Sequence, residues 1–357
     1  MRSIAIAAIF IKNCAESSLF RRRIDPALDT AFGSCHLDRL SVLAGGFVSI
    51  LSFLVSIHLA SPMTHTLSRD HIVYSLDRAN PPALEIDPGD TVRLETFDAR
   101  TGTIQSDNDL LDHAHPEGAN PATGPISIRG AEPGDHLAVT IHAIDLAPEG
   151  FLAIKEDTGL LASRARRFAT HMVGVEDGIV HYSDKIRLPA RPMVGVIGTA
   201  PEGDGLDTLY AGPNGGNMDN RYVTTGSVVH LPVSVPGGGL GIGDIHAAMG
   251  DGEITMIGLE ICAEVTVTID LVKDEPVSRP WIETANEWIT TGDHIDTTEA
   301  LRISADEMVN LLQRKLAIGF EDAYMLMSAA GDVQICQLCG PGTLPVTTRA
   351  VFPKPSP

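Results

Sequence analysis

The stretch "GDHLAVTIHAIDLAP" does most to limit what this chain can fold into. Leu137, Val139, Ile141 and Ala143 fall on one face of it, and a two-residue apolar period belongs to a half-buried strand, not to an amphipathic helix. "EPGD", residues 132 to 135, turns the chain just before it. The same alternation puts Val92, Leu94 and Thr96 together in "DTVRLETFD". "RPMVGVIGTAP" and "SVVHLPVSV" also read as strands, and "EITMIGLEICAEVTVTIDL" reads as one long enough to contain a bend. The 34 glycines and 23 prolines break these runs, and 43% hydrophobic residues suffice for a core. The expected fold is mainly β, with sandwich-like layered sheets. Helix is expected only late: Ser304 and Glu307 have capping-box spacing, and Met308, Leu311, Leu312 and Leu316 form a stripe that Gly319 ends. A second short helix is expected over Asp322 to Ala330, closing at Gly331.

Residues 1 to 62 differ from the rest. They carry a net charge of +2, against −20 for the whole chain, with "RRR" at 21 to 23 and an uncharged apolar run from Leu40 to Ala60. That run is long enough to span a bilayer. The segment reads as a signal anchor, a long leader or a translated region upstream of a true start at Met63. The last reading is preferred, which leaves 63 to 357 as the folded domain in the cytoplasm. A genuine anchor would instead mean a membrane-bound or exported protein. The acidic balance argues against nucleic acid and anionic membrane surfaces as partners. Five cysteines at irregular spacing do not suggest a disulfide framework. Cys336 and Cys339 read as buried strand cysteines rather than half a zinc or redox site. Neither a phosphate loop nor a dinucleotide fingerprint follows any strand.

Three polar, glycine-lined islands interrupt the strand pattern. "GIGDIHAAMGDGEI", residues 241 to 254, holds Asp244, His246, Asp251 and Glu253 with no basic residue inside the stretch. In an extended chain Asp244 and His246 share a face, and "GDGE" reads as a tight turn bringing Asp251 and Glu253 back to the strand end. Glu260 follows in an apolar stretch, where a carboxylate needs a partner. "GPNGGNMDNRY" holds Asn214, Asn217, Asp219 and Asn220, and the third island holds Asp98, His113, His115 and Asn120. Mixed histidine and carboxylate ligands suit zinc or a similar ion, whereas an all-oxygen set suits calcium. Each island alone is more often a turn, a loop or a hydrogen-bonded pair.

Together these segments resemble the acetamidase/formamidase family. The resemblance rests on "NPATGPISIRGAEPGDHLAVTI", on "GNMD" followed by the "GDIHAAMGDGE" segment, and on the late helix before "GFEDAYMLMS"; it runs from about Met63 to about Lys354. It implies a hydrolase that cleaves small linear amides to carboxylate and ammonia, a homo-oligomer, and a divalent metal ion in some members. His246, Asp244 and Glu253 are the expected catalytic residues. Asp98, Asp219, Asp244 and His246 are the expected metal ligands, and Asn217, Met249 and Asp251 the expected substrate contacts. The family commonly has Gln where this chain has Met249, which implies a more apolar pocket here. The competing expectation is a β-sandwich that binds a small ligand or metal without turnover.

Overall fold

The computed structural model describes residues 62–111, 118–340 and 342–355. The leader expectation for residues 1 to 62, and His113 and His115, fall outside the described residues save for Pro62.

Two sheets carry the fold. The larger has nine strands in the order Thr64–Leu67, Asp90–Thr96, Ala263–Val272, His136–Leu146, Val228–Pro232, Trp281–Glu283, Glu287–His294, Val346–Pro353 and Asp332–Gln337. The second runs Ala211–Gly212, Gly215–Asn217, Met193–Gly198, Leu240–His246, Ala122–Ile128 and Ile72–Val73, with Leu84–Ile86 also paired to Ala122–Ile128. Val92, Leu94, Leu137, Val139, Val265 and Val267 from the first sheet and Ile126, Val194, Ile197, Leu240 and Ile242 from the second lie in one buried cluster. The alternation seen in the sequence buries one face of the first sheet against the second, whose central strands Met193–Gly198 and Leu240–His246 are buried along their whole length, and the result is the expected two-layer arrangement.

Two details depart from the simple pattern. Pairing between His136–Leu146 and Ala263–Val272 shifts register between Thr266 and Val267, which face Ala143 and Ile141. The extra residue in this β-bulge moves the buried face from Ile141 to Ile144, so Ala143 is only half-buried. The run after Glu253 is not a strand as far as Cys262; only Ala263–Val272 is regular, and Glu260 makes isolated bridges to His246 and Phe151.

The first helix, Thr297–Leu316, starts earlier than expected. Asp296 is its cap and accepts from the Glu299 amide at 2.9 Å. Ser304 lies inside the helix, its hydroxyl donating to the Leu301 carbonyl. Both Asp296–Glu299 and Ser304–Glu307 have the capping spacing, and the apolar stripe marked only the C-terminal half. Ala317, with φ 53°, ends the helix, and Gly319 caps the next one, Phe320–Ala330. These helices cover a second core of Trp281, Trp288, Met308, Leu311, Leu312, Met327 and Phe352. Among the described residues, no helix is long and apolar enough to cross a membrane.

Candidate active site

Strand Leu240–His246 is buried along its whole length, so its polar residues must find partners inside the protein. Asp244 lies across from Gly195 in strand Met193–Gly198. A Cβ at position 195 would sit 2.6 Å from Asp244 Oδ2 and 2.7 Å from Asp219 Oδ1. Only glycine leaves that space. Gly258 does the same for His246, where a Cβ would meet the ring Nδ1 at 2.4 Å. The second polar island reaches the site because Asp219 follows strand Gly215–Asn217, which pairs with Met193–Gly198. The "GDGE" turn reaches it by a different route. The Gly252 amide donates to the Cys336 carbonyl and the Leu338 amide to the Gly252 carbonyl, which docks the turn on the strand Asp332–Gln337.

Asp219, Asp244, Glu253, Glu260 and His246 converge as a result. His246 is completely buried. Its Nε2 lies 3.2 Å from Glu260 Oε1 and 3.6 Å from Asp244 Oδ1, and its Nδ1 lies 4.0 Å from Asp219 Oδ1. One imidazole thus faces two sets of carboxylates, Asp219 with Glu253 and Asp244 with Glu260. Asp219, Asp244 and Glu253 have φ values of 43°, 55° and 40°. Left-handed backbone at three non-glycine residues in one cluster is strain held by the surrounding structure, a common mark of functional sites.

The electrostatics are as unusual as the geometry. Burial, with the charge of Glu253 adding to it, raises the Asp219 carboxyl well above its usual range. Burial and then the charge of Glu260 push Asp244 up to about 6. Burial also raises Glu253. For His246 burial opposes protonation, yet Glu260 and Asp244 outweigh it and hold the ring well above its ordinary value. Protons or a cation must offset so many buried carboxylates. Asp219 Oδ1, Asp244 Oδ1, Glu260 Oε2 and both His246 nitrogens have no hydrogen-bond partner among the described residues. Orphaned oxygen and imidazole donors pointing at one another fit a divalent ion.

A cavity of about 280 Å³ adjoins the cluster. Three of its lining side chains contact the cluster: Asn120 donates to Asp244 Oδ2 at 3.1 Å, Gln337 donates to Asp219 Oδ2 at 2.7 Å and to Glu253 Oε2 at 3.0 Å, and the Cys339 thiol reaches Glu253 Oε2 at 3.4 Å. Asn217 also lines it, and its buried Oδ1 has no partner.

The "Acetamidase/Formamidase family" model matches residues 75–212 and 202–346, most of the chain. The chain belongs to the acetamidase/formamidase family. It is 29% identical over 249 residues to a formamidase of Methylophilus methylotrophus, covering 53% of this chain and 61% of that one. It is 27% identical over 339 residues to an acetamidase of Mycolicibacterium smegmatis, covering 70% and 83%. The crystal structure of an acetamidase from Bacillus halodurans superposes with a TM-score of 0.78 at 34% identity, covering 81% of this chain and 97% of that one. The chain spans about three fifths of the length of the Methylophilus enzyme and of a Schizosaccharomyces pombe relative, 61% and 62%.

Within this family frame the expected site residues divide. The structure brings His246, Asp244, Asp219 and Glu253 together and puts Asn217 at the cavity. Asp98 does not join the cluster. Its Oδ1 accepts the Arg100 and Gly102 amides and its Oδ2 the Cys262 thiol, as expected of a carboxylate folded over its own turn. Asp251 points away and pairs with Arg349 at 2.5 Å and Arg221 at 3.1 Å. Met249 is buried and is not among the described residues that line the cavity. Gln337 and Cys339 join the candidate site without having been expected there from the sequence. Their one signal was the "CQLC" motif, read only as buried cysteines, yet Cys339 touches Glu253 while Cys336 lies against Arg349.

Proposed function

We propose that this chain is a hydrolase that cleaves the C–N bond of small linear amides to carboxylate and ammonia, assisted by a divalent metal ion of the zinc type. The observation that carries this reading is the buried His246–carboxylate cluster with unpartnered donor atoms beside a cavity. The names of the relatives, formamidase and acetamidase, support the substrate class. Asp219, His246 and Glu253 would hold the ion. The other ring nitrogen, 3.2 Å from Glu260, would then donate its proton to that carboxylate, the usual device for fixing a ligating imidazole. A histidine among the ligands favours zinc over calcium, which takes oxygen ligands. When bound, such an ion polarises the amide carbonyl and makes water a better nucleophile near neutral pH.

Asp244 suits the role of general base. Burial and the neighbouring Glu260 push its carboxyl up to about 6 before an ion binds, its Oδ1 has no partner among the described residues, and Asn120 holds Oδ2 in place. A base with a pKa near the working pH takes a proton from water and can return it to the departing nitrogen. Asn217 Oδ1, buried at the cavity without a partner among the described residues, would accept an N–H of the substrate amide.

Incubation with formamide and acetamide, followed by an ammonia assay with and without chelator, tests the reading. No ammonia from either amide before chelation would leave a binding protein instead. A second measurement concerns the cluster itself. The folded pKa values of Asp244 and His246 are raised, so the metal-free protein binds protons that the unfolded chain releases. The Asp244 contribution to its stability is present at low pH and is lost as pH rises through about 6, whereas the His246 contribution is lost only above the ordinary histidine range. Metal binding needs the deprotonated ligands, so added zinc should raise the melting temperature more at pH 8 than at pH 5. Equal shifts at both values would argue against these ligands.

A further inference from the structure

The cavity beside the cluster is larger than formamide or acetamide needs. At roughly 30 Å³ for each water-sized group, its 280 Å³ holds about nine such groups, whereas those amides have three and four heavy atoms. Its chemistry is also divided. Asn120, Gln337 and Cys339 contact the carboxylate cluster. The rest of the lining includes Leu111, Leu209, Ala211, Met256, Ile257 and Leu344. A polar floor under a wall that is apolar save for Arg100, Lys155, Thr255 and Thr347 suits a ligand with one polar end and one greasy end.

Two further observations point the same way. Leu209 and Tyr210 are each 41% exposed although both line the cavity, leaving apolar surface that a ligand's acyl group would cover. Met256, also on the wall, has φ 72°, backbone strain of the kind kept where a side chain must be aimed.

Resting on the amide-hydrolase reading, we infer that the preferred substrates are primary amides with an apolar acyl group of about four to six carbons. The amide end lies against Asn217 and the cluster, and the acyl group lies along Leu209, Ala211 and Met256. In the reaction water adds its oxygen to the carbonyl carbon, the C–N bond breaks, and the nitrogen leaves as ammonia with the transferred proton.

The test is kcat/KM across formamide, acetamide, butyramide, isovaleramide and hexanamide. Each added methylene should raise it about fourfold while wall remains to be covered, so butyramide should exceed acetamide about tenfold or more. Ala211→Leu, which narrows the wall, should reduce the butyramide-to-acetamide ratio at least fivefold. Arg100 and Lys155 also line the cavity, so succinamate is the control for a carboxylate-bearing substrate, and it should be poorer than butyramide. A profile that is highest at formamide or acetamide overturns the size inference while leaving amide hydrolysis standing. So does a preference for succinamate over butyramide. No turnover of any amide in the series overturns both.

Discussion

The His246→Gln variant should release ammonia about 10²–10⁴-fold more slowly than the wild type while remaining folded. The ring is shared by both carboxylate sets, with Nε2 toward Glu260 and Asp244 and Nδ1 toward Asp219. Its loss therefore removes a ligand from one side and an orienting group from the other. Glutamine is the right replacement. The position beside glycines suggests that truncation to alanine opens little space, but His246 is completely buried and packed on Gly258. Alanine would leave a void among carboxylates, and lost activity could then reflect lost structure. Asp244→Asn should show a loss of similar order, since it keeps the shape and the Asn120 contact but cannot take a proton. Asp270→Asn, at an exposed carboxylate, is the control and should stay within about twofold, as surface changes usually do. Retention of more than about a tenth of wild-type turnover by His246→Gln would be too small a loss for a ligand or an orienting group. The cluster would then be a structural knot of buried charge.

Local pattern made the frame of this site legible in the sequence. The strand period predicted both layers, and the spacing of Asp244 and His246 predicted neighbouring side chains, which lie 3.6 Å apart although Asp244 itself is not extended. Glu260 was recognisable as a carboxylate in need of a partner, and the partner is His246. What failed to show was everything set by distant pairing. Gln337 lies far along the chain from Asp219 and reaches it only because the "GDGE" turn docks on strand Asp332–Gln337. Asp251 and Glu253 are two residues apart, yet one faces Arg349 and the other faces the cluster. The glycine before Glu253 and the φ of 40° at Glu253 itself turn the backbone between them, and no two-residue period predicts such a reversal. The apparent lack of a basic residue near "GDGE" has the same cause, since both arginines arrive from elsewhere in the chain.

Arg349→Met should lower stability by about 3 kcal/mol, the low end for losing one partner of a buried ion pair. The side chain is completely buried. Its Nη2 donates to Asp251 at 2.5 Å, its Nε to Gln334 at 2.7 Å, and its Nη1 to the Cys336 sulfur at 3.4 Å, and its guanidinium lies 5.1 Å from the Tyr222 ring centre. It therefore ties the "GDGE" turn to the two C-terminal strands. Methionine keeps much of the apolar stem but none of the donors. The low end applies because Asp251 keeps Arg221 and is 31% exposed, so its charge is not stranded in the core. For a domain of this size that loss corresponds to a fall in melting temperature of roughly 5 °C. Arg349→Lys should recover little, because one ammonium cannot replace a fork reaching three partners. Activity should fall as well, since Glu253 stands two residues from Asp251 and Gln337 ends the strand that Arg349 braces. Adding Asp251→Asn to Arg349→Met should cost less than the sum of the two single changes, because each alone breaks the same pair. A melting temperature within 2 °C of wild type for Arg349→Met would mean that the turn is held without Arg349, by its backbone bonds to Cys336 and Leu338 and by Arg221 and Gln337.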